Sequence, residues 1–365
     1  MSGRRDQGQR GLSRRAVAMA LAFGGVARTA RASTIVSGVA PEVLRTPALP
    51  TARARDAAML ALARAGDRLV AAGERGIVLF SDDGGHAWTQ ARVPAQVSLT
   101  ALRFIDERSG WAVGHLGAIL RSDDAGARWT LQLDGVRAAR IQLDAASAGG
   151  DETAIARARK LVEDGPDKAF FDVDFADRQN GIAVGAYGMA FATRDGGVRW
   201  EPLTTRLPNP KGLHLYGVRF AGDAVFIVGE QGLLLRSTDG GASYAALASP
   251  YKGSLFGLIA SRGLLIAYGL RGNAFRSVDQ GESWTPIDTG VPVSLSAGVD
   301  LGADGMVLLC QTSDVLVSRD GGQRFRRTPA REPTPATAVV ANARGELVIA
   351  GLRGLRAPIA PPPSA

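Results

Sequence analysis

One cysteine, Cys310, serves the whole 365-residue chain. An intrachain disulfide is therefore excluded, and a cysteine-based zinc or iron–sulfur site all but excluded. Histidine is equally scarce: His86, His115 and His214 are scattered and unpaired, so neither a metal nor a cofactor is expected. Aromatic residues make up 6% of the chain. No segment approaches the roughly 18 consecutive apolar residues of a membrane span, so none is expected. Lysine is nearly missing as well: 39 of the 43 basic residues are arginine.

Glycine, by contrast, is abundant, at 46 residues. Without a collagen period, that usage points to many tight turns joining short strands. The net charge of +8 is concentrated at one end. Residues 1–32 hold seven arginines and one acid, Asp6, and the remainder is nearly neutral. A nucleic-acid partner is not expected once that segment is set aside.

The segment reads as an export signal. Residues 4–15 are basic and polar, 16–27 (AVAMALAFGGVA) are apolar, and Ala30-Arg31-Ala32 offers an A-x-A cleavage site before Ser33. Ser13-Arg14-Arg15 resembles a twin-arginine signal. The expectation is a periplasmic protein cleaved after Ala32; the alternative is an uncleaved basic tail.

The strongest signal is internal repetition. Six segments share the form Ser/Thr-x-Asp-x-Gly-x-x-aromatic: SDDGGHAW (81–88), SDDAGARW (122–129), TRDGGVRW (193–200), STDGGASY (237–244), SVDQGESW (277–284) and SRDGGQRF (318–325). Upstream of the first five lies an apolar element with glycines eight and five residues before the box: Gly73/Gly76, Gly114/Gly117, Gly185/Gly188, Gly229/Gly232 and Gly269/Gly272. The sixth copy has Cys310 and Ser313 there, and a seventh, LVIAGLRGLR (347–356), lacks the box. A period near 41 residues with strands of about five fits one four-stranded propeller blade. The expected fold is all-β, a seven-bladed propeller over 57–356. Box acids Asp83, Asp124, Asp195, Asp239, Asp279 and Asp320 are read as turn residues accepting backbone N–H groups.

The box resembles the Asp box, or bacterial neuraminidase repeat. Together with the paired-glycine strand element it resembles the photosystem II stability/assembly factor family of propellers, over about residues 57–356. GPDKAFFDVDF (165–175) and PYKGSLFGL (250–258) look like members from non-photosynthetic proteobacteria. The resemblance implies a non-enzymatic exported propeller, a monomer that binds a protein partner and serves as an assembly, stability or accessory factor for a membrane or envelope complex. The competing class is a carbohydrate-active hydrolase, sialidase- or glycosidase-like, of the Asp-box superfamily. It needs carboxylates facing one cleft, and the best pair is Asp172 and Asp174, two apart on one strand. Asp174 also aligns with Arg103, Arg219 and Asp300 of other blades, which suggests a structural ion-pair network instead.

Departures from the plain repeat mark the candidate binding residues: Lys168, His214, Tyr216, Glu230, Tyr251, Lys252, Arg271 and Asn273, with solvated turn residues as the alternative. The insertion at 134–168 reads as one or two short helices, 136–148 and 151–164, between blades two and three; the alternative is a loop. Segment 33–56 is expected to hold a ring-closing strand, Pro41–Leu49, that completes blade seven, because the proline-rich tail at 357–365 cannot support a ladder; the alternative is a disordered linker there, with the ring closing within its own C-terminal blade.

Overall fold

The computed structural model describes residues 40–330 and 333–360. The segment at 1–32, read above as an export signal, lies outside the described residues. Seven antiparallel sheets form the seven blades of a propeller, six with four strands and the last with three. The blades span residues 59–90, 99–133, 170–202, 215–246, 255–287, 295–328 and 336–355. Each runs inner strand to outer strand in sequence order. The apolar core lies between blades, and strand two of every blade is buried along nearly its whole length. Among the described residues, no helix is long and apolar enough to cross a membrane.

Chain order fixes two faces. One carries the box turns between strands three and four. The other carries the paired-glycine turns and the connections between blades. In the first box, Ser81 Oγ donates to Asp83 Oδ1 (2.8 Å) and accepts from Gly85 N (2.8 Å). Asp83 Oδ1 accepts from His86 N and Ala87 N at 3.0 and 2.9 Å. Asp124, Asp195, Asp239, Asp279 and Asp320 each accept the amide four residues on, at 2.9–3.0 Å. The indoles of Trp88, Trp129 and Trp284 donate to the carbonyl of the box glycine three residues back.

The glycine turns have a steric origin. A Cβ on Gly73 would stand 2.1 Å from the carbonyl oxygen of Ala58, where the chain enters the inner strand, and one on Gly76 would stand 2.0 Å from that of Ala95. Gly76 also takes φ 73°, open to glycine at little cost. The residue before it, Arg75, sits at φ 52°, and Leu116, Tyr187, Gln231 and Arg271 take the same left-handed place in blades two to five. In blade six, Ser313 takes φ 73° and donates its hydroxyl to the Thr334 carbonyl (2.6 Å).

The insertion is a pair of helices, α1 (Gly135–Gly149) and α2 (Glu152–Asp164). Asp134 caps α1 through Val136 N and Arg137 N; Asp151 caps α2 through Thr153 N and Ala154 N.

Ring closure differs from the sequence expectation. Pro41–Leu49 forms no strand in blade seven. Glu42–Leu44 is a short 3₁₀ turn, and the segment docks on the connection between blades one and two: Ala48 N donates to Val93 O (2.9 Å) and Gln96 N to Val43 O (2.7 Å). Prolines at 41, 47 and 50 remove the donors that a ladder would need. Blade seven keeps three strands, and its third is prolonged by the tail, where Ile359 and Leu347 exchange two backbone hydrogen bonds across Pro358. Blades seven and one close face to face. Thr337 Oγ1 donates to the Met59 carbonyl (2.7 Å), Asn342 Nδ2 to that of Gly84 (3.0 Å), and Ala54 packs beside Leu355.

Two outcomes test the role of the boxes. Trp200 is buried at 4% exposure, edge-on to Phe175, and its indole N–H has no partner, so its contribution is packing. Trp200→Ala should cost about 3–5 kcal/mol in urea unfolding; an unchanged midpoint would remove the box aromatic from the core. The hydroxyl of Ser283, its backbone N–H and Ser277 hold Asp279 down at a pKa of about 2. A depressed carboxylate stabilises the fold above its ordinary pKa of 3.8, and that contribution is lost as pH falls towards about 2. Melting temperature should drop through this window, and Asp279→Asn should lessen the drop.

Candidate functional site at the channel mouth

One irregularity recurs in every blade. The inner strand slips register near its start, between residues 59 and 61, 99 and 101, 215 and 217, 255 and 257, 295 and 297, and 336 and 338. Blade three does the same, with Phe170 opposite Gly185 and Asp172 opposite Val184. Each slip is a β-bulge, and a bulge re-aims one side chain. The bulged residues are Leu60, Thr100, Phe171, Tyr216, Phe256, Ser296 and Thr337. All but Thr337 line a central channel of about 170 Å³.

The ring they form is two-sided. Thr100, Ser296 and Thr337 spend their hydroxyls on backbone carbonyls: Thr100 on Phe170 O (2.7 Å), Ser296 on Leu309 O (3.3 Å) and Thr337 on Met59 O. The consecutive blades three, four and five present Phe171, Tyr216 and Phe256. Tyr216 stacks on Phe171 with centroids 5.6 Å apart and meets Phe256 edge-on at 5.5 Å. His214 extends the cluster, 5.9 Å from Phe171 and 4.8 Å from Tyr187. The Tyr187 backbone N–H donates to His214 Nδ1 (2.9 Å), which fixes the imidazole. Burial, then the nearby Glu230 carboxylate, raise the Tyr216 pKa, so the phenol is neutral. The Phe171, Tyr216, Phe256 and His214 rings are half-buried, and Tyr187 is exposed.

Of the sequence candidates, Lys168, His214, Tyr216 and Glu230 meet here. Lys168 Nζ lies 5.5 Å from the Tyr187 ring centre and pairs with Asp164 and Asp167. Glu230 accepts from the backbone N–H of His214 (3.2 Å). The blade-five residues serve their own turn: Tyr251 packs on Phe275, and its hydroxyl and Asn273 Nδ2 reach the Leu270 carbonyl at 3.4 and 2.9 Å. Arg271 is an exposed turn tip, and Lys252 is exposed. Phe171 and Phe256 were not singled out from the sequence. The bulge that turns them to the channel is set by pairing with strand two, which the inner strand alone does not display.

Beneath the ring, the inner strands have an edge with no sheet partner, and neighbouring blades satisfy it with side chains. Asp172 accepts from Val218 N (3.0 Å) and pairs with Arg219; Asp174 accepts from Phe220 N (2.8 Å) and pairs with Arg103 at 2.6 Å. Burial opposes the Arg219 charge, but Asp172 and Asp174 outweigh it and leave its pKa raised. Both carboxylates are thus engaged in joining blades two, three and four. Asp300 is not part of this network; it accepts from Gly302 N in its own turn (2.9 Å).

Asp174 is fully buried, whereas Arg103 is 45% exposed and can be solvated alone. Asp174→Ala therefore strands chiefly the Phe220 amide, and should cost about 1–3 kcal/mol rather than the larger penalty of an orphaned buried charge. Chemical denaturation measures this; no change would mean that the amide finds another partner.

Residues 156–285 match the family described as photosynthesis system II assembly factor YCF48. The photosystem II assembly lipoprotein Ycf48 of Synechococcus sp. (strain CC9902) is 32% identical over 120 residues, 31% of this chain. The match spans about a third (35%) of that relative. Among solved structures, YCF48 bound to a D1 peptide superposes with a TM-score of 0.62 at 14% identity, covering 84% of this chain and 94% of that one. The GH74 xyloglucanase of Xanthomonas campestris shares the fold too, with a TM-score of 0.56 at 13% identity, covering 82% of this chain and 52% of that one. Blade architecture alone therefore does not separate binders from hydrolases. Over this central stretch the chain is similar to β-propellers of the photosystem II assembly factor-like family, and the repeats carry the same blade architecture around the rest of the ring.

Proposed function

We propose that this chain is an exported, non-enzymatic propeller that binds a protein partner and acts as an assembly, stability or accessory factor for a membrane or envelope complex. The observation that carries the reading is the aromatic half-ring Phe171–Tyr216–Phe256 at the channel mouth, extended by His214 and Tyr187. Half-buried aromatics on a rigid scaffold give large contact area at little entropic cost, as at protein-binding hot spots. The family supports it: one relative is named an assembly lipoprotein, and one structural neighbour is bound to a D1 peptide. Export rests on the arginine-rich, apolar N-terminal segment, with cleavage after Ala32 into the periplasm. The hydrolase reading has less to support it, because Asp172 and Asp174 are tied to arginines and backbone amides.

The test is affinity capture from a periplasmic extract with the tagged chain, read by mass spectrometry, beside a Tyr216→Ala/Phe256→Ala variant. Wild type should enrich a discrete envelope protein or complex that the variant loses, with its melting transition retained. Equal capture by both would sink the channel-mouth reading.

A further inference from the structure

We propose that a second site, the groove between the helical pair and blade three, seats an extended acidic segment of the protein partner. The proposal rests on the reading of the chain as a protein-binding propeller and adds the chemistry of what it holds.

The groove encloses about 1100 Å³, at the upper limit of small-molecule sites, which run to about 1,000 Å³. One wall is α1 and α2. The other is the blade-three turn at 186–188 and the segment 201–212. The second wall is stiff. Pro208 and Pro210 restrict its backbone, and Asn209 clamps Leu213, donating to its carbonyl (2.9 Å) and accepting from its amide (3.0 Å). A preformed wall lowers the entropic cost of seating a flexible chain.

Charge selects the occupant. Five basic residues line the groove against three acids. Two of the acids are already engaged: Asp151 caps α2, and Asp164 holds Lys160 (2.9 Å) and Lys168 (3.6 Å). Arg157, Arg206 and Lys211 make no ion pair among the described residues, and the third acid of the lining is Glu201. Two buried polar atoms in the lining residues, Gln142 Oε1 and Thr204 Oγ1, have no hydrogen-bond partner among the described residues. An unpaired buried polar atom is costly, and both atoms belong to residues that line the groove. Guanidinium and ammonium groups along a groove with hydrogen-bonding walls suit carboxylates on an extended chain.

The experiment is fluorescence anisotropy of the purified full chain with a labelled octapeptide of alternating Glu and Ala, at low and high salt. Saturable binding is expected. It should weaken about tenfold or more in an Arg157→Glu/Arg206→Glu/Lys211→Glu variant and in high salt, and hold in Tyr216→Ala/Phe256→Ala. The three residues are surface groups, so the fold should survive; Arg206→Glu alone, with a several-fold loss, serves if the triple variant misfolds. Absence of binding, equal binding by the triple variant, or equal affinity for the Gln-Ala peptide would overturn the proposal. Tighter binding of a single-stranded oligonucleotide of equal charge would overturn it in favour of a nucleic-acid surface. Loss of peptide binding in the groove variant with partner capture retained separates this site from the channel mouth, and the reverse result spares the groove while removing the mouth.

Discussion

In six of the seven blades, the start of the inner strand lies so close to the glycine that ends strand two that no side chain fits between them. In blades one to five and seven, a Cβ on that glycine would stand 2.1–2.3 Å from a carbonyl oxygen. This contact pairs the first residue of the inner strand with the glycine, and the next residue is left without an opposite number. The consequence is the bulge, and the consequence of the bulge is a side chain turned to the channel. Blade six refines the causal order. Cys310 stands in the glycine's place, opposite Leu295, and Ser296 is still bulged. Glycine thus relieves the contact, while the bulge belongs to the way a blade begins.

The same crowding at the axis leaves the free edge of every inner strand to be satisfied by something other than a strand. Neighbouring blades supply what is missing: a threonine hydroxyl from blade two to blade three and from blade seven to blade one, and two carboxylates from blade three to blade four. These contacts give the acids near the axis a role in joining blades, tied to arginines and backbone amides. They join blade two to three, three to four and seven to one, so the ring closes with the same kind of contact that links blades two and three. No exchanged strand is required, and the proline-bearing N-terminal segment is free to brace the connection between blades one and two instead.

Much of this was legible in the residues. The box and the paired glycines give the blade count, because each is a local steric requirement with a fixed spacing. The helix pair was legible from Ala, Arg and Leu content and from Asp151; its observed bounds, Gly135–Gly149 and Glu152–Asp164, extend the expected ones by a residue or two at α1, where Asp134 is the cap. The channel ring was not legible, because register belongs to a pair of strands and a single strand does not display it. FFDVDF read as alternation shows two acids on one face; only its pairing with Gly181–Gly185 reveals that Phe171 is the odd residue. Closure was misread for a different reason. An extended segment and an incomplete blade suggested each other, although Pro41, Pro47 and Pro50 already argued against a ladder.

Repetition itself sorts structural residues from recognition residues. Six boxes repeat one hydrogen-bond set, so their acids report the turn and nothing specific to one blade. The bulge positions obey one geometric rule and yet carry Leu, Thr, Phe, Tyr, Phe, Ser and Thr in succession. Such a ring has a direction, with aromatics gathered on blades three to five and small hydroxyls on the other side. The helical pair enters next to that aromatic side. Tyr187 lies on both surfaces: it packs on His214 at the mouth and lines the groove under the helices. It is 65% exposed at φ 54°, a strained position for a tyrosine held on a turn tip. On the proposed reading, a chain crossing from groove to mouth would pass over this ring, because the insertion and the aromatic bulge residues lie on the same side of the propeller.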